Sequence, residues 1–439
     1  MDSKRLPSEE PEGETVRAEI RGLAVGGTAV GRVTGPEGSP RVGMTIFLPF
    51  VAPGEVVEAR VRRVHARYLD AELSAIRTPS GDRTTPPCPY FGACGGCDLQ
   101  HMTYEAQLAA KHDMVRGAFR SGGLAEAADR IEAVVPGPPF GYRRRIILHI
   151  DGEGRAGYYR RQSHTVLPVV DCPISGPEIR KFLAAGIEFG ETAFSENAEL
   201  HIETGENGLF AVLKTTGHLT ERQAGRLLER LRPLVTGALI EAEGRGMAQF
   251  GEAAMLRKMA GMAEDEAGEA APGVFSQVNP VINEQLVERV VGLAERTGAQ
   301  SACDLYAGAG NFALPLAAGG RRVTAVERVS ALVTAGRAEA TRRGLAERLE
   351  FVRSDVAHYL RRKPRPTDLI VADPPRAGLG KLTGDLGFAP RMAFISCHLP
   401  SAVRDLKALE AEGWHVETVT PFDMFAQTAH VELLTVLYR

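Results

Sequence analysis

The last third of the chain contains two kinds of segment, which differ in how apolar and polar residues are spaced. Short, mostly apolar runs alternate with longer segments in which apolar residues recur at helical spacing, a pattern typical of buried strands separated by helices. The runs read SACDLYAG, RRVTAVER, LEFVRSD, DLIVADPP, MAFISC, HVETVTPF and VELLTVLY. They predict a doubly wound α/β sheet that is mostly parallel. The last two runs leave no room for a crossover helix, so we expect them to pair antiparallel.

Alternation of period two dominates the first half of the chain. Between Glu14 and Arg77, short alternating runs are separated by glycine turns, which predicts a small five-stranded barrel of the oligonucleotide-binding type. Further strands follow, with helices predicted from Thr103 onward and over Glu221–Arg230. We therefore predict three domains: the barrel over residues 14–77, a central α+β domain over 78–271 and the α/β domain over 272–439.

The composition is that of a globular protein, since 44% of the 439 residues are hydrophobic and 24% are charged. No stretch approaches the roughly 18 consecutive apolar residues of a membrane span. The first residues, MDSKRLPSEEPEGE, are polar and of mixed charge, unlike a signal or transit peptide, so we expect a cytoplasmic protein. The net charge of −3 gives no overall sign of nucleic-acid binding, which must therefore depend on local basic patches.

Two groups of arginines form such patches. In the barrel, basic residues alternate with apolar ones and end beside Tyr68; they are Arg60, Arg62, Arg63 and Arg67. In the central domain, arginines are interleaved with Tyr142, Tyr158 and Tyr159; they are Arg143, Arg144, Arg145, Arg155, Arg160 and Arg161. Arginine beside aromatic residues is typical of surfaces that bind phosphates and stack bases. An ordinary solvated sheet face shows the same alternation, so both interpretations stay open.

Four of the six cysteines form a spaced set. Cys88, Cys94 and Cys97 follow a C-x5-C-x2-C spacing in a glycine-rich loop, and Cys172 comes later, in VVDCPI. In a reducing cytoplasm such thiols are more often metal ligands or catalysts than disulfides. Four thiolates suit either a structural zinc ion or an iron–sulfur cluster, and spacing alone does not separate the two.

The first strand of the α/β domain leads into a turn, DLYAGAGN, over Asp304–Asn311. Gly308 and Gly310 let the backbone approach a ligand closely, but no third glycine completes a dinucleotide fingerprint. Glu327, 19 residues after Gly308, ends the next strand, where an acidic residue receives ribose hydroxyls. Asp355 ends the third strand, where it can bind an adenine amino group. A seven-stranded sheet closed by an antiparallel hairpin is also the architecture of S-adenosylmethionine-dependent methyltransferases.

Cys397 stands at the carboxyl end of MAFISC, before a helix predicted over Ser401–Ala411, where reactive groups lie in open α/β sheets. The preceding strand ends in DPPR, Asp373–Arg376, with arginine where amino-group methyltransferases carry an aromatic residue, which favours methylation at carbon. Carbon 5 of a pyrimidine becomes nucleophilic once a thiolate adds to carbon 6, and a base must later remove the carbon-5 proton. Cys397 and Glu432 fit these two roles. A buried structural thiol and a solvent-facing strand residue are the alternatives.

Together these motifs resemble the RNA uracil-C5 methyltransferases, in particular the bacterial ribosomal-RNA type with an N-terminal TRAM barrel and an iron–sulfur loop. FSQVNPVINEQL (Phe275–Leu286), DLYAGAGNFALPLA, DPPRAGL, SC at Cys397 and DMF…HVE occur in the family's order. The resemblance implies a [4Fe-4S] cluster ligated by Cys88, Cys94, Cys97 and Cys172. It implies Cys397 as the nucleophile, Glu432 as the base, and an S-adenosylmethionine pocket lined by Gln277, Tyr306, Asn311, Glu327, Asp355 and Asp373.

The resemblance also implies an RNA substrate and a monomer with no obligate protein partner. It favours 23S ribosomal RNA, because the bacterial tRNA type generally lacks the TRAM and cluster domains. A tRNA T-loop, or a non-catalytic RNA-binding factor on the same scaffold, are the alternatives. A pure binder, however, needs neither Cys397 nor Glu432.

The chain departs from the family in three places. Ser396-Cys397-His398-Leu399-Pro400 stands where the family usually has SCNP. Phe425-Ala426-Gln427-Thr428 stands where it has FPHT, and Tyr142-Arg143-Arg144 where it commonly has YRN. The nucleophile and the base are kept, but neighbours that orient the uracil or the thiol have changed.

Overall fold

The computed structural model describes residues 13–190, 198–251, 255–257, 268–270 and 277–439. It begins with a closed five-stranded barrel, which confirms the sequence prediction. The strands are β1 (Thr15–Leu23), β2 (Ala29–Gly35), β3 (Thr45–Leu48), β4 (Val56–Val64) and β5 (Tyr68–Thr78). They follow the order β1-β2-β3-β5-β4, with β3 and β5 parallel. Every second side chain points into a small barrel and fills it, which explains the alternating burial of β1.

The central part of the chain contains a seven-stranded sheet in the order β12-β11-β10-β9-β6-β7-β8. Its strands are β6 (Arg145–Ile150), β7 (Ala156–Tyr159), β8 (Val166–Pro168), β9 (Ala198–Gly205), β10 (Gly208–Thr215), β11 (Gly237–Ala242) and β12 (Arg245–Gly251). Helices α3 (Pro177–Ala185) and α4 (Glu221–Leu231) pack on it, and a short pair, β13 (Met255–Arg257) and β14 (Gly268–Ala270), follows. Thr220 and Gln223 form a reciprocal capping box where α4 begins, so the predicted helix starts where its cap requires.

The C-terminal sheet has the order β17-β16-β15-β18-β19-β21-β20. Its strands are β15 (Ser301–Leu305), β16 (Arg322–Glu327), β17 (Leu349–Arg353), β18 (Leu369–Ala372), β19 (Arg391–Ser396), β20 (His415–Phe422) and β21 (Glu432–Tyr438). The helical segments are α5 (Pro280–Arg296), α6 (Ala313–Ala318), α7 (Ser330–Arg342), α8 (Val356–Arg361), a 3₁₀ turn (Gly380–Asp385) and α9 (Leu399–Ala411). Strand β21 runs antiparallel to both neighbours, which confirms the predicted hairpin. Helix α9 begins two residues before the predicted start, because Pro400 fits the first turn of a helix.

Helices α1 (Tyr104–Ser121) and α2 (Ala125–Ala128) precede the central sheet in sequence but pack on the C-terminal one. The buried Met114, Val115 and Phe119 of α1 belong to the same core as Leu406 and Trp414. Helix α1 therefore joins the cysteine-bearing segment to the α/β sheet. The predicted domain boundaries stay predictions, and Phe275 and Ser276 of the quoted family motif lie outside the described residues.

Within the described part of the chain, no helix is long and apolar enough to cross a lipid bilayer.

Candidate active site

Cys397 directly follows β19 and Glu432 is the first residue of β21, at the edge where β18 and β19 end. The antiparallel register pairs Ser396 of β19 with Leu433 of β21. Cys397 is thus one residue beyond the last pair on one strand, and Glu432 one residue before it on the other. The carboxyl of Glu432 also acts on the electrostatics of the Cys397 thiol, so the two groups lie in one site. The structure thus brings together the two residues that the sequence assigns to nucleophile and base.

The surroundings of Cys397 contain charges of both signs. Burial raises the pKa of its half-buried thiol, and the carboxylates of Glu432 and Asp373 raise it further. Arg376 has the opposite effect and favours the thiolate. Of the three charged groups that act on the thiol, the two acids oppose its ionisation and the cation promotes it.

Glu432 and Asp373 form a buried pair of acids. Glu432 is 2% exposed, and burial together with the charge of Asp373 raises its pKa well above the usual range. Asp373 keeps some accessible surface, but burial of its carboxyl raises its pKa to about 6. Two acids in one buried site do not both ionise easily, so Glu432 is the member that keeps its proton at neutral pH. A cation bound beside the pair would lower both pKa values.

The turn after β15 has a backbone conformation that lets a ligand approach the main chain closely. Tyr306, Gly308 and Gly310 all have positive φ angles, of 64°, 59° and 103°. The amide of Gly308 donates to Glu327 Oε2 at 3.1 Å, and the amide of Val329 donates to Glu327 Oε1 at 2.7 Å. Glu327 thus lies beside the glycine turn, as its position in the sequence predicts.

Asp304, the last residue but one of β15, is an acid directly before the glycine turn that the sequence motifs did not assign to the pocket. It is fully buried, and neither carboxyl oxygen makes a hydrogen bond of normal geometry, although the backbone of Ala313 lies near. Burial raises its pKa well above the usual range, and Asp373 and Glu327 add to this effect. An unpaired buried acid is costly, so a donor or cationic ligand is expected to satisfy it. The signal in the sequence was an acid inside an apolar strand, directly before the turn.

Three more residues of the predicted pocket follow the carboxyl ends of strands of the same sheet; they are Tyr306, Asn311 and Asp355. Burial raises the pKa of Tyr306 to about 12, and the charges of Asp355 and Asp405 add to this effect. Asp355 caps α8 by accepting from the amide of Ala357 at 3.0 Å. Asn311 exchanges two side-chain hydrogen bonds with Asn283 of α5, at 2.9 and 3.0 Å.

Gln277 is half-buried and lies just before α5. Two residues later, Asn279 caps this helix by accepting from the amide of Ile282 at 3.3 Å. The cap fixes where α5 begins, and so also sets the path of the chain at Gln277.

The four spaced cysteines meet at a separate place. Cys88, Cys94, Cys97 and Cys172 line one pocket, part of which is open to solvent. Burial raises the pKa of Cys97 to about 12, and Cys172 raises it further, so the thiols lie close to one another. Arg143 Nε and the Tyr158 hydroxyl also lie in this region, buried without a hydrogen bond of normal geometry, although Tyr158 lies near Cys172. Among the described residues, no three His, Cys, Asp or Glu side chains are grouped so as to hold one metal ion.

The cysteine loop contacts the segment that leads into β21. The amides of Asp98 and Leu99 both donate to the carbonyl of Gln427, at 2.9 and 3.0 Å. The Gln427 side chain, which replaces the family's usual histidine, accepts from Gln107 Nε2 at 2.9 Å. Five residues after Gln427 stands Glu432. The loop that carries Cys97 is therefore a support for the strand that carries the candidate base.

Several arginines of the predicted RNA surfaces have partners within the protein. Arg161 pairs with Asp98 at 2.8 Å and stacks on Phe50, so it joins the barrel to the cysteine loop. Other arginines form ion pairs on the surface; they are Arg62 with Glu72, Arg144 with Glu206, and Arg155 with Asp151 and Glu153. Arg160 is exposed on the hairpin beside Cys94. The predicted RNA surfaces therefore include arginines that join parts of the protein as well as arginines on its surface. The sequence alone does not distinguish the two kinds.

The comparisons with protein families and with individual relatives agree with one another and together cover most of the chain. A sequence profile of the tRNA (uracil-5-)-methyltransferases matches residues 265–439, and one of the TRAM domain matches residues 9–74. The chain is 32% identical to an RNA methyltransferase of Gloeobacter violaceus, over 98% of this chain and 97% of the relative. It is 30% identical to the 23S rRNA (uracil(1939)-C(5))-methyltransferase RlmD of Halomonas elongata, over 95% of this chain and 88% of the relative.

Among solved structures, the fold is similar to that of the Pyrococcus abyssi tRNA (uracil-54, C5)-methyltransferase in complex with S-adenosyl-L-homocysteine. The TM-score is 0.70 at 23% identity, covering 96% of this chain and 99% of the other. The similarity therefore extends over the barrel and both sheets.

Proposed function

This chain belongs to the S-adenosylmethionine-dependent RNA (uracil-5-)-methyltransferases, and we propose that it methylates a uridine of 23S ribosomal RNA through a covalent adduct with Cys397. The observation that carries the mechanism is the register of β19 and β21, whose last pair, Ser396 with Leu433, is directly adjacent to both Cys397 and Glu432. The choice of 23S rRNA rests on relatives such as the Halomonas elongata enzyme, whose name gives that substrate.

The first step is addition of the Cys397 thiolate to carbon 6 of the uracil. The new sulfur–carbon bond breaks the carbon 5–carbon 6 double bond and gives an enolate, which makes carbon 5 nucleophilic. Arg376 assists because its charge favours the thiolate. The thiol stands at a sheet edge, so the target base must leave its stack to reach it.

Methyl transfer and elimination complete the reaction. Carbon 5 attacks the methyl group of the donor, and the sulfonium leaves as a neutral thioether. Glu432, as carboxylate, then takes the carbon-5 proton, the double bond re-forms and Cys397 departs as thiolate. Before this step, Glu432 must lose the proton that it carries in the free protein. A cationic donor bound beside Asp373 and Glu432 favours this loss, because its positive charge lowers the pKa of both acids.

The donor pocket is assigned to the edge formed by the ends of β15 to β18. Asp304 supplies a buried acid whose ionised form the cationic methionine part of the donor would stabilise. Glu327 and Asp355 are assigned to the ribose and the adenine, as the order of their strand ends suggests. Gln277, Tyr306, Asn311 and Asp373 complete the pocket.

A [4Fe-4S] cluster is assigned to Cys88, Cys94, Cys97 and Cys172. A single zinc ion requires its sulfur ligands about 2.3 Å from one point, whereas a cluster spreads them around a larger body. The four thiols line one pocket but are not grouped closely enough to hold a single ion, which fits the second case better. The buried donors of Arg143 and Tyr158 are suited to the sulfur atoms of a cluster. When bound, the cluster supplies iron–thiolate bonds that tie the loop of Cys97 to Cys172.

In vitro methylation of defined RNAs tests the proposed substrate. Unmodified transcripts of 23S rRNA and of tRNA are incubated with the protein and labelled donor, and the digested RNA is analysed for 5-methyluridine. Product in 23S rRNA alone supports the proposal. Product in tRNA alone would replace it with the T-loop alternative. No product in either RNA, with binding retained, would indicate a non-catalytic RNA-binding factor.

A further inference from the structure

A chain of short hydrogen bonds connects His398, the residue after Cys397, to the DPPR loop. His398 Nδ1 lies 2.7 Å from the hydroxyl oxygen of Ser401. That hydroxyl in turn lies 2.8 Å from the carbonyl oxygen of Arg376. Ser401 is only 4% exposed, so these bonds are shielded from competing water.

The Ser401 hydroxyl has two carbonyl acceptors within reach, that of Arg376 at 2.8 Å and that of His398 at 3.0 Å. Ser401 has one hydroxyl proton and both carbonyls can only accept, so the shorter distance favours donation to Arg376. In that arrangement His398 Nδ1–H donates to the hydroxyl oxygen.

Helix α9 holds the DPPR loop at two further points. Asp405, which is 1% exposed, accepts from the amides of Leu379 at 2.6 Å and Gly380 at 3.2 Å. Arg404 Nη2 donates to the carbonyl of Ala377 at 2.6 Å. Ser401 and Asp405 are four residues apart and so lie on one face of the helix. The loop is thus fixed on both sides of Ala377, and Ser401 fixes the side that carries Arg376.

From this geometry we infer that His398 and Ser401 are positioning residues that hold the Arg376 guanidinium beside the Cys397 thiol. The inference rests on the proposed role of Cys397 as nucleophile. The charged groups that act on this thiol are Glu432 from β21, Asp373 from the end of β18, and Arg376. His430 lies nearby, but burial lowers its pKa, as do Arg376 and His398, which favours its neutral form. Arg376 is therefore the cation that opposes the two acids, and its placement sets how readily the thiol ionises.

The rate of alkylation of Cys397 by iodoacetamide across pH, followed on its own peptide by mass spectrometry, tests this inference in the intact holoprotein. His398→Ala and Ser401→Ala are expected to slow alkylation about three- to tenfold at neutral pH, which corresponds to a rise of about 0.5–1 in the thiol pKa. His398→Asn and Ser401→Thr keep a donor and a hydroxyl at the same places, so their profiles should stay close to that of the unmodified protein. His218→Ala, at an exposed position of the central region, is the matched control.

A double-mutant comparison separates positioning from general damage. Arg376→Gln should slow alkylation by a similar factor, and adding His398→Ala to it should have little further effect. Equal slowing by His398→Ala with and without Arg376 would overturn the inference, as would unchanged profiles in the alanine variants. If the profiles shift as expected while Cys397 forms no adduct with 5-fluorouridine RNA, the positioning role stands and the proposed function fails.

Discussion

Cys397 directly follows Ser396, the last residue of β19, and Glu432 directly precedes Leu433, the residue of β21 that pairs with Ser396. Nucleophile and base thus stand at the end of one hydrogen-bonded pair of strands. The pairing of Ser396 with Leu433 fixes the backbone next to both residues. The arrangement allows both groups to reach adjacent carbons of one pyrimidine ring without a large movement of the chain.

Replacement of Glu432 by glutamine should separate the two halves of the reaction. Glu432 is buried and favours its neutral form, so glutamine matches it in shape and charge at little cost in stability. Glutamine cannot take the carbon-5 proton, so turnover should fall by about 10²–10⁴-fold. The methylated RNA should then remain attached to Cys397, and denaturing gels would show the adduct.

The matched control is Glu412→Gln, at an exposed position just after α9. It should retain full turnover and accumulate no adduct. Normal turnover by Glu432→Gln would assign the base to another residue.

Single-turnover rates at saturating donor should rise with pH through neutrality. Cys397 acts in its deprotonated form, and burial together with Glu432 and Asp373 raises the pKa of its thiol. Activity is therefore lost as the pH falls through this raised pKa. Asp373→Asn removes one raising charge and should move the profile to lower pH, whatever its effect on the maximal rate. A rate that does not vary across neutral pH would contradict these assignments.

Asp304→Asn should stabilise the folded protein and weaken binding of the donor. Burial raises the pKa of the Asp304 carboxyl, so at neutral pH folding opposes the ionisation that the unfolded chain allows, and asparagine removes this cost. We expect Asp304→Asn to raise the melting temperature and to weaken binding of S-adenosylmethionine about tenfold or more, since a bond to a charged group contributes about 1.5–3 kcal/mol. Calorimetric titration and thermal unfolding measure the two effects. The exposed Asp385→Asn should change neither, and tighter donor binding by Asp304→Asn would refute the assignment.

The cysteine pocket should contain iron and sulfide after purification without air. Charge transfer from thiolate to iron would then colour the protein brown. Cys172→Ala removes one proposed ligand and should cause loss of the colour and of bound iron. Cys303→Ala, at a buried cysteine in β15 far along the chain from the cysteine loop, should leave both intact. A colourless protein with stoichiometric zinc would replace the cluster with a zinc site.

The strands and most helices could be predicted from the sequence because their signals are local. The apolar run of β19 and the capping residues of α4 are examples, since each depends on residues within a few positions. The register between β19 and β21 is different. It depends on pairing across a helix and another strand, and a shift of one residue would have placed Glu432 on the other face.

Contacts between segments that are distant in sequence could not be predicted from the sequence pattern either. Lys111 of α1 and Asp423, just after β20, form an ion pair in which both side chains are fully buried. Nothing in the local sequence of either residue indicates its partner. The same holds for Gln107 and Gln427, which form side-chain hydrogen bonds across more than 300 positions. Asp304 was overlooked because an acid in a strand usually faces solvent.

The most direct test of the central claim uses RNA in which uridine is replaced by 5-fluorouridine. Fluorine at carbon 5 cannot be removed as a proton, so the enzyme–RNA adduct should persist after methyl transfer. We predict a stable, donor-dependent adduct whose RNA is attached to the peptide that contains Cys397, and its absence in Cys397→Ala. Attachment at another residue, or no adduct under conditions in which the protein methylates ordinary RNA, would contradict a covalent mechanism at Cys397.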